Sequence, residues 1–301
     1  MHFCKNKKVV LTGATGLIGK EAITTLLAFG FEVFAISSKN LPDVEIGVNW
    51  IKADLLNQSD IKKVFEEIKP DFLLHFAWDT RPQIYLEDNS NFDWLKSSLE
   101  ILKQFHLNGG KRAVFAGTCA EYASKNTPLQ ENDELNPIST YAKCKNQLNQ
   151  LATLYCKKNN ISFGWGRIFY VYGQNEQKQR LTPYITDSLN QGKKVLIKNG
   201  ELVKDYMYAK DIAGGFVKFL DTEITGCVNI CSAKPVAIKE YALTIARKFG
   251  KENFIECQEE ILNQPSFIVG DNSRLLNEVG YGLKYTLDMA IDEIIKDMKN
   301  E

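Results

Sequence analysis

The stretch Thr12-Gly13-Ala14-Thr15-Gly16-Leu17-Ile18-Gly19 limits what this chain can fold into more than any other. It follows the apolar run Lys8–Thr12 directly, and beyond it apolar residues recur at helical spacing (Leu17, Ile18, Ala22, Ile23, Leu26, Leu27). A strand running through a glycine-rich turn into a helix is the first unit of a right-handed β-α-β crossover. The alternation continues, with strand-like stretches at 31–36, 50–53, 71–77, 112–116 and 161–169 and helical spacing at 61–68, 85–107 and 139–158. Asp71–Ala77 is apolar along its middle, as a strand buried on both faces must be. The pattern predicts an α/β chain with a doubly wound parallel sheet, the Rossmann arrangement. After residue 173 the alternation loosens; Thr182-Pro183 opens a helix over 184–191, and short elements follow. We therefore expect one domain over residues 1–173 and a smaller C-terminal α+β region over 174–301, with the chain crossing between them.

Composition excludes several classes of protein. The 37 basic and 37 acidic side chains cancel, which leaves no excess positive charge for a nucleic-acid backbone. No apolar run approaches the ~18 residues a membrane span needs. The opening Met1-His2-Phe3-Cys4-Lys5-Asn6-Lys7-Lys8 has no apolar export core, so a cytoplasmic location is expected. Seven cysteines lie scattered without a C-x-x-C pair, and histidine occurs only at 2, 75 and 106. Neither pattern makes a metal site, and free buried thiols are expected.

The chemistry begins at the glycine turn. Gly13 permits the tight bend, Gly16 lets backbone approach a pyrophosphate, and Gly19 lets the helix pack closely on the strand. Thr15 to Ile18 supply the helix N-terminus, whose N–H groups and dipole favour phosphate. The turn therefore predicts a bound dinucleotide. At the end of the second strand, Ser37-Ser38-Lys39 offers two hydroxyls and an ammonium, with no carboxylate before Asp43. An acidic group there would bind the ribose 2′-OH of NAD; this trio suits a 2′-phosphate instead, favouring NADP(H) with NAD(H) as the alternative. Asp54-Leu55, after the third strand, either contacts the adenine or, through Asp54, caps the helix that follows. Tyr141 and Lys145 lie one turn apart on a predicted helix, and an ammonium beside a phenol favours the phenolate. Thr118, in Gly117-Thr118-Cys119-Ala120-Glu121, stands at the C-terminal end of a predicted sheet strand, where such sheets bind ligands.

A glycine-rich turn, a hydroxyl at a strand end and Y-x-x-x-K, in that order, resemble the extended short-chain dehydrogenases/reductases. Three further segments extend the likeness over nearly the whole chain. Arg167-Ile168-Phe169-Tyr170-Val171-Tyr172-Gly173 resembles that family's R-x-x-N-x-Y-G. Lys204-Asp205-Tyr206-Met207-Tyr208-Ala209-Lys210-Asp211 resembles its R-D-[FY]-x-[YH]-x-x-D, and Asp271-Asn272-Ser273-Arg274 through Gly280-Tyr281 its D-x-[ST]-[KR]…L-G-[WY]. The resemblance implies action on a nucleotide-diphosphate sugar. Tyr141 would be the acid/base at the sugar O4, Lys145 would bind the nicotinamide ribose, and Thr118 would hold the reacting oxygen. Ala77 would line the cofactor, while Arg180, Lys204 and Arg274 would be candidates for substrate phosphate or ribose. It also implies a homodimer through helices 85–107 and 139–158.

Departures narrow the reaction. The family's 4,6-dehydratases carry an acidic pair after the Ser/Thr; here Cys119-Ala120 stands there, and Glu121, in an extended segment, would face away. No histidine lies beyond His106, which removes the acid/base partner of the GDP-fucose synthase branch. Two activities remain: NADPH-dependent reduction of a nucleotide-linked 4-keto(-6-deoxy) sugar, favoured by the end of strand two, and NAD-dependent 4-epimerisation. A non-catalytic cofactor sensor is a third reading, opposed by the intact Thr118, Tyr141 and Lys145. Trp78 occupies the place after His-x-Ala where the family has a small residue; together with Cys119 it is a candidate sugar contact, and with Trp94 an alternative packing residue.

Overall fold

The computed structural model describes residues 7–39, 41, 47–259 and 265–298. Asp43 and the first six residues, Cys4 and His2 among them, lie outside the described residues. The first half runs β1 (Lys8–Thr12), α1 (Leu17–Ala28), β2 (Glu32–Ser37), β3 (Val48–Lys52), α2 (Gln58–Ile68), β4 (Phe72–His75), α3 (Ser90–Leu107), β5 (Arg112–Thr118), α4 (Thr140–Lys158), β6 (Ser162–Ile168) and β7 (Tyr170–Tyr172). There follow α5 (Leu181–Asn190), β8 (Val195–Lys198), β9 (Val203–Tyr208), α6 (Ala209–Leu220), β10 (Gly226–Ile230), β11 (Pro235–Ala237), α7 (Ile238–Phe249), β12 (Ile255–Gln258), β13 (Phe267–Ile268), α8 (Ser273–Asn277) and α9 (Leu287–Met298).

Seven strands form one parallel sheet in the order β10-β6-β5-β4-β1-β2-β3. The order reverses direction between β1 and β4, the switch point outside whose C-terminal strand ends doubly wound sheets bind ligands in a crevice. Strand alternation assigns the two faces. Val9 and Leu11 pack with Ile23 and Leu26 of α1 and Ile212 and Phe216 of α6. Val10, Leu73 and Phe115 pack on the other side with Ile61 of α2, Phe105 of α3 and Leu148 of α4. All seven residues of β5 are buried, which a strand covered on both faces requires.

The chain crosses back after residue 173. The α6 helix lies in the α1 layer, and β10 is the seventh strand of the main sheet. The remaining C-terminal elements form a second core of Tyr172, Ile185, Tyr208, Tyr241, Ile245 and Ile291 around a small sheet in which β11, β7 and β13 all pair with β9.

Two expectations need correction. The helix expected over 85–107 begins at Ser90, because the side chains of Asp88 and Asn91 take backbone groups an earlier start would use. Asn91 Nδ2 donates to the carbonyls of Tyr85 and Asp88, Asp88 Oδ1 accepts from Ser90 N, and Gln83 is left-handed at φ 72°. The six described cysteines are free, but Cys257 is exposed and Cys119 and Cys227 are half-buried. Among the described residues no helix is long and apolar enough to cross a membrane, and no group of three His, Cys, Asp or Glu is arranged to hold a metal ion.

Candidate active site

The glycine turn closes on itself. Gly13 has φ +67°, and a Cβ there would lie 2.8 Å from Ala77 N. A Cβ at Gly19 would meet the Gly13 carbonyl oxygen at 2.1 Å, so only glycine lets α1 sit this close to the turn. Beneath the turn a buried polar chain ties β1 to β4 and α3. Thr12 Oγ1 accepts from Ala77 N at 3.2 Å and lies 2.7 Å from His75 Nδ1, whose Nε2 is 2.9 Å from Ser98 Oγ. Burial, helped by the nearby Lys145 charge, pushes His75 down to about 3, so the ring is neutral. The first turn of α1 has neither an acidic residue nor a capping side chain at Gly16. Its N–H groups are thus open to a diphosphate, and the cradle of Gly13, Thr15, Gly16, Leu17, Ile18 and Gly19 fits a dinucleotide.

Neighbouring candidates differ in their surroundings. Ser38 and Lys39 are exposed at the end of β2, while Ser37 is buried with its hydroxyl accepting from Lys39 N at 3.2 Å. Asp54 does not cap α2: Asn57 does, accepting from Ser59 N at 2.9 Å. The Asp54 carboxylate accepts from Leu56 N at 3.0 Å instead and stays exposed, and Leu55 is buried with its carbonyl held by Ser97 Oγ.

At the end of β5 the chain does not continue extended. Cys119–Glu121 form a tight helical turn in which Thr118 Oγ1 accepts from Ala120 N and Glu121 Oε1 accepts from Thr118 N at 2.9 Å. Glu121 is fully buried because Trp165 Nε1 and Arg167 Nε also donate to it, the latter at 2.9 Å. It is turned away from substrate by this turn and its ion pair, not by strand alternation. Across from it, Ser139 caps α4 through Ala142 N, so the first turns of the helix project Tyr141 and Lys145 toward Thr118.

The Tyr141 and Thr118 hydroxyls lie close enough for the one to bear on the other's titration. Burial raises the Tyr141 phenol above its ordinary value, with Tyr85 and Glu121 adding to the rise and the Thr118 hydroxyl opposing it. Lys145 is 3% exposed and donates to Ala116 O at 2.9 Å. Burial brings its ammonium down to about 7, against the pull of Glu121. A protonated phenol, a hydroxyl donor and an amine thus converge at the C-terminal end of β5, next to the crevice.

The remaining candidates separate. Lys204 is buried on β9, its Nζ donating to Pro265 O at 3.2 Å and lying 5.3 Å from the Tyr170 ring. Cys119 packs in the neighbouring cluster with Tyr122 and Phe169; burial lifts its thiol to about 12, opposed by Lys204. Arg180 reaches from the start of α5 to Thr80 O at 2.7 Å and stands over the Tyr85 ring at 5.7 Å, in the loop after β4. Trp78 faces Lys145 at 4.0 Å and packs beside Trp94. Arg274 is not brought to the site. It donates to Thr225 O, Cys227 O and Glu278, around the start of β10, whereas Thr118 pairs in register with the far end of β6 beside Ile230.

Sequence reasoning missed two groups. Tyr85, with its ring 5.1 Å from that of Tyr141, comes from the loop misjudged as helix and carried no signal. Tyr170 did carry one, since it fills the asparagine position of R-x-x-N-x-Y-G; its phenol is raised by burial, with Cys119, Tyr206 and Tyr85 adding to the rise.

Comparison with known proteins agrees with this geometry. The family model described as "NAD dependent epimerase/dehydratase family" matches residues 9–231. The Escherichia coli protein dTDP-4-dehydro-6-deoxyglucose reductase is 28% identical over 97% of this chain and 97% of its own length. CDP-abequose synthase of Salmonella typhimurium is 24% identical over 98% of this chain and 99% of its own. Among solved structures, the UDP-glucose 4-epimerase of Thermotoga maritima with UDP-glucose superimposes with a TM-score of 0.86 at 18% identity, covering 97% of this chain and 99% of that one, which shows the shared fold. With its matched segment running from the first strand to the end of the seventh strand of the main sheet, this chain belongs to the NAD-dependent epimerase/dehydratase family of nucleotide-sugar oxidoreductases and epimerases, the extended short-chain dehydrogenases/reductases.

Proposed function

We propose that this protein reduces the C4 ketone of a nucleotide-linked 4-keto-6-deoxy sugar with NADPH. The observation that carries the reading is the meeting of Thr118, Tyr141 and Lys145 beside the open helix N-terminus of the glycine turn. The dTDP-4-dehydro-6-deoxyglucose reductase of Escherichia coli, similar over almost the whole chain, supports the substrate class. When bound, NADPH would supply the hydride for C4. Tyr141 Oη–H gives its proton to the carbonyl oxygen, so ketone, hydride and proton balance as the alcohol. Thr118 Oγ–H donates to the same oxygen as negative charge develops there. Lys145 would hold the nicotinamide ribose, and the exposed Ser38 and Lys39, with Ser37 buried beneath them, would take the 2′-phosphate.

The end of β2 supports reduction over epimerisation: Ser37-Ser38-Lys39 offers hydroxyls and an ammonium where an enzyme that retains NAD would carry a carboxylate for the ribose 2′-OH. The outer faces of α3 and α4, with Phe92, Leu107, Leu151 and Leu154 exposed, are the proposed homodimer contact. The test is NADPH oxidation, followed at 340 nm, against dTDP-, CDP-, GDP- and UDP-linked 4-keto-6-deoxy sugars, with NADH in parallel. Stoichiometric NADPH consumption with one of them is expected. Tightly retained NAD, and interconversion of two hydroxy-sugar nucleotides without net NADPH use, would establish the epimerase instead.

A further inference from the structure

The Lys145 ammonium rests on one carbonyl and the face of one near indole, a second indole, Trp165, lying farther off at 6.0 Å. Its Nζ donates to Ala116 O at 2.9 Å and sits 4.0 Å from the centre of the Trp78 ring, the distance of direct cation–π contact. A lysine side chain is a flexible four-carbon stem, and a single hydrogen bond leaves its end free to swing. The indole itself is fixed. Trp78 Nε1 donates to Asn91 Oδ1 at 2.8 Å, and Asn91, 1% exposed, spends both amide protons on Tyr85 O and Asp88 O. Trp94 lies alongside at 6.4 Å, and the Tyr141 ring meets the indole at 6.2 Å and 76°. One ring therefore touches both members of the Tyr141/Lys145 pair while being held by a third element, the start of α3.

From this arrangement we infer that Trp78 is a positioning residue for the cofactor, acting through Lys145: the Asn91-anchored indole holds the ammonium where it serves the nicotinamide ribose. This departs from the sugar-contact role expected for Trp78 from the sequence. It rests on the proposed role of Lys145 as the ribose ligand, and it deepens that role by naming what holds the lysine in place. The charged or titratable groups facing Lys145 are Glu121 beyond β5, His75 on β4 and Tyr141 one turn earlier on α4. None of these supplies a ring face at direct contact, and the Trp165 indole, at 6.0 Å against 4.0 Å for Trp78, stands at the limit of cation–π reach.

The test is NADPH binding to the whole protein without sugar, read by cofactor fluorescence, in Trp78→Phe and Trp78→Leu. Phenylalanine keeps a π face and leucine does not, while both are apolar. Trp78→Leu should weaken NADPH about fivefold, and Trp78→Phe should stay within about twofold of the parent. In a Lys145→Met background the phenylalanine and leucine variants should bind alike, because the effect passes through the lysine. The pH at which binding falls off should also lie lower in Trp78→Leu than in Trp78→Phe, since the π face favours the charged amine. Equal binding and equal pH profiles of the two variants, or the same leucine penalty in the Lys145→Met background, would overturn the inference about Trp78 alone. NADPH binding left unchanged by Lys145→Met would instead remove the ribose role of the lysine itself. Should the leucine variant not fold, Trp78→Met gives the same comparison.

Discussion

The two walls of the crevice are made in opposite ways. The turn between β1 and α1 works by leaving side chains out: Gly13, Gly16 and Gly19 clear the space, and backbone N–H groups are what remains to bind. The wall between β5 and α4 works by bringing side chains in: Thr118, Tyr141 and Lys145 converge from separate elements over a buried Glu121–Arg167 pair. A wall of absences is specified locally and tolerates no added atom. A wall of convergence depends on groups far apart in sequence, and it can lose its chemistry while keeping its shape.

That contrast is sharpest for Tyr141→Phe. Only the proton donor is removed, so turnover should fall by about 10²- to 10⁴-fold while NADPH titration gives an affinity close to the parent's. Loss of cofactor binding in this variant would mean that the two walls are not separable. Arg167→Leu tests what underlies convergence. It leaves Glu121 buried without its cation, and urea unfolding should show a loss of about 3–5 kcal/mol. A change under 1 kcal/mol would show that Trp165 and the Thr118 amide suffice to hold the carboxylate.

The glycine wall should break in the opposite sense. Gly19→Ala places a Cβ 2.1 Å from the Gly13 carbonyl, and neither atom belongs to a flexible side chain. Helix α1 must shift, at a cost of about 1–3 kcal/mol in stability, and NADPH affinity should fall at least tenfold. The smallest effect concerns the support beneath the turn. His75 is held at about 3, below its ordinary 6.5, so the unfolded chain takes up the proton first as pH falls. Its stabilising effect is complete above pH ~6.5 and is lost progressively toward pH 3. In His75→Gln, thermal melting between these pH values should lose that part of its slope; an unchanged slope would assign the acid sensitivity to other groups.

The same contrast explains what could be read before the structure. The glycine turn was legible because its reasons are local: three glycines, a strand before them and a helix after. The strand and helix alternation was legible for the same reason, since buried parallel strands are apolar runs. Thr118, Tyr141 and Lys145 were legible only as an ordered set, because nothing in Y-x-x-x-K alone says which way the helix faces. The tight turn at Cys119–Glu121 was not legible. It depends on Glu121 meeting Arg167, 46 residues later, and an isolated Cys-Ala-Glu has no reason to leave an extended path. The start of α3 failed likewise, because Asn91 reaches backward to the carbonyls of Tyr85 and Asp88, a competition that apolar periodicity does not register. Asp54 was overtaken as a cap by Asn57, three residues nearer the helix.

The seventh strand of the main sheet has a consequence for how the molecule is made. Because β10 covers the flank of β6, that flank keeps its backbone donors and acceptors unpaired during synthesis until Ile230 has left the ribosome. Arg112 waits as well: its guanidinium, buried on β5, donates to the carbonyls of Phe219, Leu220 and Ile224, all translated more than a hundred residues later. A nascent chain stalled before that point would expose an open sheet margin and lack the three carbonyls that receive the Arg112 guanidinium, so the amino-terminal half should not be expressible as a stable fragment by itself.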